Sequence, residues 1–185
     1  MSIKSERFPY WMAKQVADDL FEVFKKWGKV TIVGSVRRMD ETIGDIDFVI
    51  VPKDKNLQVI TLMEALPKEK VEHHMGRRHM TIFKYKYGTM IIPINIWITT
   101  EESEGAAIMA YTGPKISSIF YRKLAKDKFG YCLSDKGLFK NGNMIAGRKE
   151  EDIYEALNRE CKPPYLRGKT PKEIAEFLKK HEMVA

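Results

Sequence analysis

The segment GSVRRMDETIGDIDFVIVP, residues 34–52, sets two carboxylates, Asp45 and Asp47, at the head of an apolar run. Residues two apart on a strand point to the same face, so Asp45 and Asp47 project together while Ile46 turns the other way. Side by side they repel, unless something positive stands between them. A divalent cation supplies that charge. Mg²⁺ takes oxygen ligands, keeps several waters and is commonly completed by substrate phosphates. Asp-Ile-Asp alone also fits a solvated strand start carrying two unrelated acids.

The residues just upstream weigh on that choice. Gly34 lets the backbone come close to a ligand, and Ser35 offers a hydroxyl and an N–H to a phosphate oxygen. A helical turn starting here adds free N–H groups and a dipole to an anion site. Arg38 can give a phosphate a forked contact. A phosphate cradle beside a carboxylate pair is the equipment of nucleotidyl transfer: metal ions bridge triphosphate and acids, and clamp the attacking and leaving oxygens.

These residues need a frame. Met12, Val16, Leu20, Phe24 and Trp27 recur at helical spacing and predict an amphipathic helix over 10–27, stopped by Gly28. KVTIVGS predicts a strand ending at Gly34, DFVIVP a second strand, and LQVITLMEAL a covering helix. HMTIFKYKYGTMIIPINIWITT reads as a hairpin turning at Gly88, with Pro93 implying an edge position or a bulge. Beyond Thr100 the pattern predicts a helical stretch broken at Gly113-Pro114, then short strands with turns at Lys136-Gly137 and Asn141-Gly142. EEDIYEAL reads as a short helix. Thr170, Pro171 and Glu173 carry the signature of a capped tail helix. The expected division is a sheet-rich lobe to residue 105, a smaller lobe over 106–168 and a tail over 169–185.

A chain of 185 residues with 44% hydrophobic content can build one sizeable core or two small lobes. A net charge of +7 favours a polyanionic partner, nucleic acid before membrane. Cys132 and Cys161 make neither a metal pair nor a disulfide framework. No apolar run approaches the ~20 residues of a membrane helix, and the first residues lack the apolar core of a signal peptide. The expectation is a soluble, intracellular protein without a membrane partner. His73, His74 and His79 beside Arg77 and Arg78 read as a basic loop rather than a zinc site. The alternation of aromatics and lysines from Phe83 to Tyr87 reads as a half-buried strand, with stacking on single-stranded bases as the rival.

GSVRR…GDIDFVIV resembles the nucleotidyltransferase signature of family X DNA polymerases, the polymerase β-like group. AYTGPKISSIFYRKLAKDKFGYCLSDKGLFKNGNMIAG resembles that family's thumb, and EEDIYEALNRECKPPYLRG its closing segment; together they cover roughly residues 8–168. The resemblance implies an α+β fold, a palm of mixed β-sheet and helices followed by a small α/β thumb. It implies that Asp45 and Asp47 bind two Mg²⁺ or Mn²⁺ ions. Gly34, Ser35, Arg38 and Gly44 would hold the triphosphate, with Tyr111, Thr112 and Gly113 against the sugar. Arg122, Lys115 and Ser118 would approach DNA and the nascent base pair. The implied partners are a primer-template or gapped DNA and a dNTP, the implied state a monomer, and the implied setting short-gap repair or a phage or viral replication task.

Two features depart from that family. The chain starts almost at the palm, which leaves no room for an N-terminal lyase domain and predicts no lyase activity. The family's third aspartate, which binds the catalytic metal and accepts the primer proton, is replaced by Asn95 in IIPINIWI. Three explanations stand open: an engineered inactive form, a slow natural enzyme, or a DNA- and nucleotide-binding protein without catalysis. A template-independent or ribonucleotide-tolerant nucleotidyltransferase is the rival within the enzyme class.

Overall fold

The computed structural model describes residues 6–57, 59–72, 76–77 and 80–181. A two-residue strand β1 (Phe8–Pro9) runs straight into α1 (Tyr10–Phe24), followed by β2 (Gly28–Val33), α2 (Gly34–Arg37), β3 (Thr42–Ile43) and β4 (Ile46–Pro52). Next come α3 (Val59–Glu64), β5 (Val71–Glu72), β6 (Gly76–Arg77), β7 (Met80–Tyr87) and β8 (Met90–Ile98). The second half holds α4 (Glu104–Thr112), α5 (Lys115–Phe129), β9 (Cys132–Ser134), β10 (Gly137–Lys140), β11 (Asn143–Ala146), α6 (Glu150–Ala156) and α7 (Pro171–Lys180).

Among the described residues the main sheet has six strands, in the order β2-β4-β8-β7-β5 with β6 pairing on β7. Among the described residues only β4 and β8 run parallel; their register sets Asp47 opposite Asn95 and Phe48 opposite Ile96. Period two explains the two faces of β4. Ile46, Phe48 and Ile50 pack with Val16, Leu20 and Phe24 of α1 in the principal core. Val49 turns to the opposite face and joins Val33 and Ala107 under α4. A strand covered on both faces has to be apolar throughout, and its one carboxylate, Asp47, sits at the end where the cover stops.

The helix expected over 10–27 ends at Phe24, leaving Trp27 outside it. The Trp27 N–H donates to the Phe24 carbonyl at 2.9 Å, closing a tight turn. That turn delivers Gly28 opposite Pro52, where a Cβ would lie 2.2 Å from the Val51 carbonyl oxygen. The strand expected to end at Gly34 stops at Val33, and Gly34 opens the short α2. Pro93 lies in an internal strand, not an edge strand. It pairs with Lys84 on β7 but falls one residue short of the ladder to β4, which begins at Ile94, so its missing N–H costs no bond to β4. The first thumb turn is Asp135-Lys136; Gly137 already pairs with Ser134.

The second half builds its own core from Ala106, Met109, Ala125, Leu138, Ile153, Tyr154 and Leu157. Small residues let α4 be packed on both sides. Gly105 lies so close to the start of α6 that a Cβ would be 2.2 Å from the Lys149 carbonyl carbon, and Ala107 meets the main sheet. The peptide bond between Gly113 and Pro114, at the break between α4 and α5, is cis. The capping box of α7 is present: Thr170 Oγ1 accepts from the Glu173 N–H at 3.3 Å, and the Thr170 N–H and hydroxyl each donate to Glu173 Oε2 at 2.7 Å. Phe83 and Tyr85 are buried in the core, so neither is a free stacking face. His73, His74 and His79 lie outside the described residues. No helix among the described residues is long and apolar enough to cross a membrane.

Candidate active site

The carboxylate pair is built at the meeting of three strands. Asp47 pairs with Val33 of β2 on one side and Asn95 of β8 on the other. Gly34 takes φ +66°, a region that disfavours any Cβ, and turns the backbone directly over Asp47: a Cβ there would lie 2.1 Å from Asp47 Oδ2. Asn95 is 9% exposed and lies under the pair. Its Nδ2 donates to Asp45 Oδ2 at 3.1 Å and to Asp47 Oδ1 at 2.8 Å. Burial and the neighbouring Asp45 charge push the Asp47 carboxyl up to about 6, against the lowering effect of the Asn95 hydrogen bond.

The pair opens into a cleft of about 650 Å³. Its walls bring together Gly34, Ser35, Arg38, Gly44, Asp45, Asp47, Tyr111, Gly113, Lys115, Ser118 and Arg122. Residues far apart in the sequence thus converge on one cleft. Ser35 Oγ is buried and has no hydrogen-bond partner among the described residues. A buried hydroxyl at the wall of a cleft, left unsatisfied, is the kind of group a ligand oxygen completes. Arg38 Nη1 donates to the Thr112 carbonyl at 2.5 Å, and Nη2 contacts the Asp40 carboxylate. The Tyr111 ring stacks on Trp97 with centroids 3.8 Å apart, and its hydroxyl donates to Asp135 Oδ2 at 3.0 Å. Burial and then Asp135 raise the Tyr111 hydroxyl above its usual range, so it stays a donor.

Thr112 does not face the cleft. It is fully buried, and its Oγ1 accepts from Arg37 Nη1 at 2.6 Å. The YTG turn therefore presents Tyr111 and Gly113, while Thr112 faces inward to bind Arg37.

The motif reading missed several residues here. Arg7 lines the cleft and is fixed by Thr42, donating from Nε to Oγ1 at 2.8 Å and from Nη2 to the carbonyl at 2.5 Å. Asp40 also lines it. Behind the wall, Glu150 accepts from Arg37 Nη2 at 3.0 Å and from Arg167 Nη1 at 2.5 Å. Burial pushes the Glu150 carboxyl up, but hydrogen bonds from Arg167 and Arg37 outweigh it and hold it below the usual range. No local pattern in the sequence marks them.

The donor set tests whether a divalent cation fits. Two carboxylates on one strand edge are hard oxygen ligands, suited to Mg²⁺ or Mn²⁺. Asn95 offers the pair N–H groups, which neither charge nor ligate a second ion. The residues fit one ion readily; for two, the third carboxylate is missing.

A family model described as DNA polymerase beta thumb matches residues 107–168. The chain is 26% identical over 141 residues to Repair DNA polymerase X of African swine fever virus (isolate Warthog/Namibia/Wart80/1980), a match covering 72% of this chain and 76% of that protein. By these matches the chain is similar to family X, the polymerase β-like group. It is also 25% identical over 185 residues to DNA polymerase/3'-5' exonuclease PolX of Bacillus subtilis (strain 168), a match covering 97% of this chain and spanning only 31% of that protein's length. Among solved structures, Leishmania infantum polymerase beta in a ternary P/T complex superposes with a TM-score of 0.75 at 20% identity, covering 89% of this chain and 77% of that one. The same polymerase in a ternary gap complex also gives 0.75, at 18% identity, over 89% of this chain and 71% of that one. Identity that low speaks for the fold: the polymerase β-like palm and thumb, as the sequence led one to expect.

Proposed function

We propose that the protein is a DNA polymerase that adds a deoxynucleotide from a dNTP to the 3′-end of a primer, on primer-template or gapped DNA, and releases pyrophosphate. The observation that carries this reading is one cleft lined by Asp45 and Asp47 together with Arg7, Arg38, Lys115 and Arg122. Carboxylates for a cation and cations for a polyphosphate, within one cleft, suit a metal-complexed triphosphate better than any neutral ligand.

In this reading residues 1–105 are the palm, residues 106–168 the thumb and residues 169–185 a tail. Asp45 and Asp47 hold Mg²⁺ or Mn²⁺, which when bound offsets the charge of the triphosphate and of the attacking and leaving oxygens. Ser35, Gly34 and Gly44 receive phosphate oxygens on hydroxyl and backbone groups. Arg38 and Arg7 supply guanidinium donors. Tyr111, held flat by Trp97 and Asp135, and Gly113 form the floor for the sugar. Lys115, Ser118 and Arg122, on the first turns of α5, face the base pair and the template. The partners are DNA and a dNTP, and the chain acts as a monomer.

A second reading, DNA and nucleotide binding without turnover, is favoured by one observation: Asn95 satisfies both aspartates with N–H donors where the family places a carboxylate. The test is extension of a primer facing each of the four template bases, with Mg²⁺ or Mn²⁺, beside an Asp45→Ala control. Incorporation that follows the template supports the proposal. Equal incorporation of all four nucleotides selects a template-independent transferase. Nucleotide binding without incorporation in either metal selects the binding protein.

A further inference from the structure

We propose that Asp40 is a built-in substitute for phosphate on Arg38, and that it sets how tightly the cleft retains pyrophosphate relative to a nucleoside triphosphate. The inference rests on the nucleotidyl-transfer reading above and assigns a specificity-determining role within the same site.

The geometry begins with the guanidinium. Arg38 and Asp40 side chains are only 16% and 26% exposed, so their contact is shielded from bulk water. Arg38 has one terminal nitrogen on the Thr112 carbonyl, at 2.5 Å, and the other on the Asp40 carboxylate. A carboxylate offers a guanidinium the same paired-oxygen geometry that a phosphate offers. Asp40 therefore occupies the donor an incoming phosphate would take, while the Thr112 carbonyl keeps the arginine aimed.

The corner that carries Asp40 is fixed, so exchange is a side-chain event. The Asp40 N–H donates to the Ser35 carbonyl at 3.1 Å, and the Glu41 carbonyl accepts from the Tyr10 N–H at 3.1 Å. Met39 takes φ +56° to make the turn. Lys180 of α7 reaches Glu41 Oε1 at 2.6 Å and braces the corner from outside. With the backbone held, Asp40 returns to Arg38 whenever the phosphate leaves. The exchange swaps one hydrogen-bond acceptor for another and moves no proton.

The consequence is electrostatic. Arg7, Arg38, Lys115 and Arg122 line the same cleft as Asp40, Asp45 and Asp47. In the proposed reading Asp45 and Asp47 find their counter-charge in a cation, whereas among the described residues Asp40 pairs with Arg38. Any anion that takes Arg38 must displace or repel Asp40. A nucleoside triphosphate meets that cost with contacts along its whole length, including the sugar and base. Pyrophosphate has phosphate contacts alone and is the weaker competitor.

The test is calorimetric titration of the full chain with pyrophosphate and with a non-hydrolysable dNTP analogue in Mg²⁺. Wild type is compared with Asp40→Asn, Asp40→Glu, Arg38→Ala and the Asp40→Asn/Arg38→Ala double variant. Asp40→Asn should tighten pyrophosphate about fivefold, near the upper range for a partly exposed charge pair, and the dNTP analogue less. Asp40→Glu, which keeps the charge, should bind like wild type. The gain should vanish in the double variant. Unchanged or weaker pyrophosphate binding by Asp40→Asn, with Arg38→Ala weakened as expected, overturns the role of Asp40 and leaves the nucleotide reading intact. No effect of Arg38→Ala on either ligand overturns the nucleotide reading, and this inference with it.

Discussion

Asn95 donates one amide hydrogen to Asp45 at 3.1 Å and the other to Asp47 at 2.8 Å. The amide holds together two carboxylates that would otherwise repel, and does so without a cation. Asn95→Asp replaces those donors with a third negative charge. The metal-free variant should be less stable by about 1–3 kcal/mol, the cost of leaving buried polar groups without partners. Mg²⁺ or Mn²⁺ should restore it, because a ligand that binds only the folded state stabilises it by mass action. Thermal melts of both forms across a divalent titration check this. A divalent-induced rise in Tm no larger in Asn95→Asp than in the parent would count against the account.

The Asp47 carboxyl, raised from 3.8 to about 6, makes stability fall with pH. Between those two values the folded chain holds a proton at this site that the unfolded chain has already lost. Its stabilising effect is complete below the lower value and is lost as pH rises through about 6. Asp47→Asn should flatten this part of the profile and stabilise the metal-free protein near neutral pH by on the order of 2–3 kcal/mol. Urea unfolding at about pH 5 and about pH 7.5, without divalent ions, measures the difference.

Gly34→Ala should damage the site more than its size suggests. Its φ of +66° costs a side chain about 1–2 kcal/mol, and the new Cβ would sit 2.1 Å from Asp47 Oδ2. Asp47 must move for the variant to fold. The expected outcome is a modest loss of stability with near-complete loss of divalent-dependent nucleotide binding. Nucleotide titration beside a denaturant melt separates the two effects, and nucleotide affinity equal to wild type would contradict the packing described.

Glu150 joins Arg37, next to the cleft-lining Arg38, to Arg167, with side-chain exposures of 5%, 25% and 5%. Glu150→Ala leaves two guanidiniums without their counter-charge and should cost about 3–5 kcal/mol. Because the Glu150 carboxyl is held below its usual range, its contribution is present at neutral pH. It disappears as acid protonates the group. Chemical denaturation at neutral pH gives the magnitude. A loss below about 1 kcal/mol would mean the network behaves like an exposed pair.

What could be read in the sequence follows from how local its cause is. Asp45 and Asp47 share a face because a strand has period two, and the break at Gly113-Pro114 and the cap at Thr170 are set by neighbouring residues. The alternation around Phe83 and Tyr85 marked a half-buried strand for the same reason. Arg7, Asp40 and the Arg37–Glu150–Arg167 group left no local pattern, because each is defined by a partner distant in sequence or by a turn at Met39 that no periodicity announces. Thr112 misled because its neighbours Tyr111 and Gly113 do face the cleft. Pro93 misled because a rule about whole edge strands was applied to a residue placed just short of a ladder. Asn95 stood out as an amide where a carboxylate was expected, but only the fold showed that its N–H groups point at the acids.

The most direct test is single-turnover extension of a primer across a one-nucleotide gap, comparing the parent chain with Asn95→Asp in Mg²⁺ and in Mn²⁺. A missing carboxylate that acts in the transition state lowers the rate more than the nucleotide affinity. The Asn95→Asp variant should therefore extend about 10²-fold faster or more, within the range of acid–base assistance, at similar apparent dNTP affinity. Mn²⁺ should narrow the gap, since it binds such ligands more tightly than Mg²⁺. A parent chain already as fast as Asn95→Asp in Mg²⁺ would contradict the placement of Asn95 at the reacting centre.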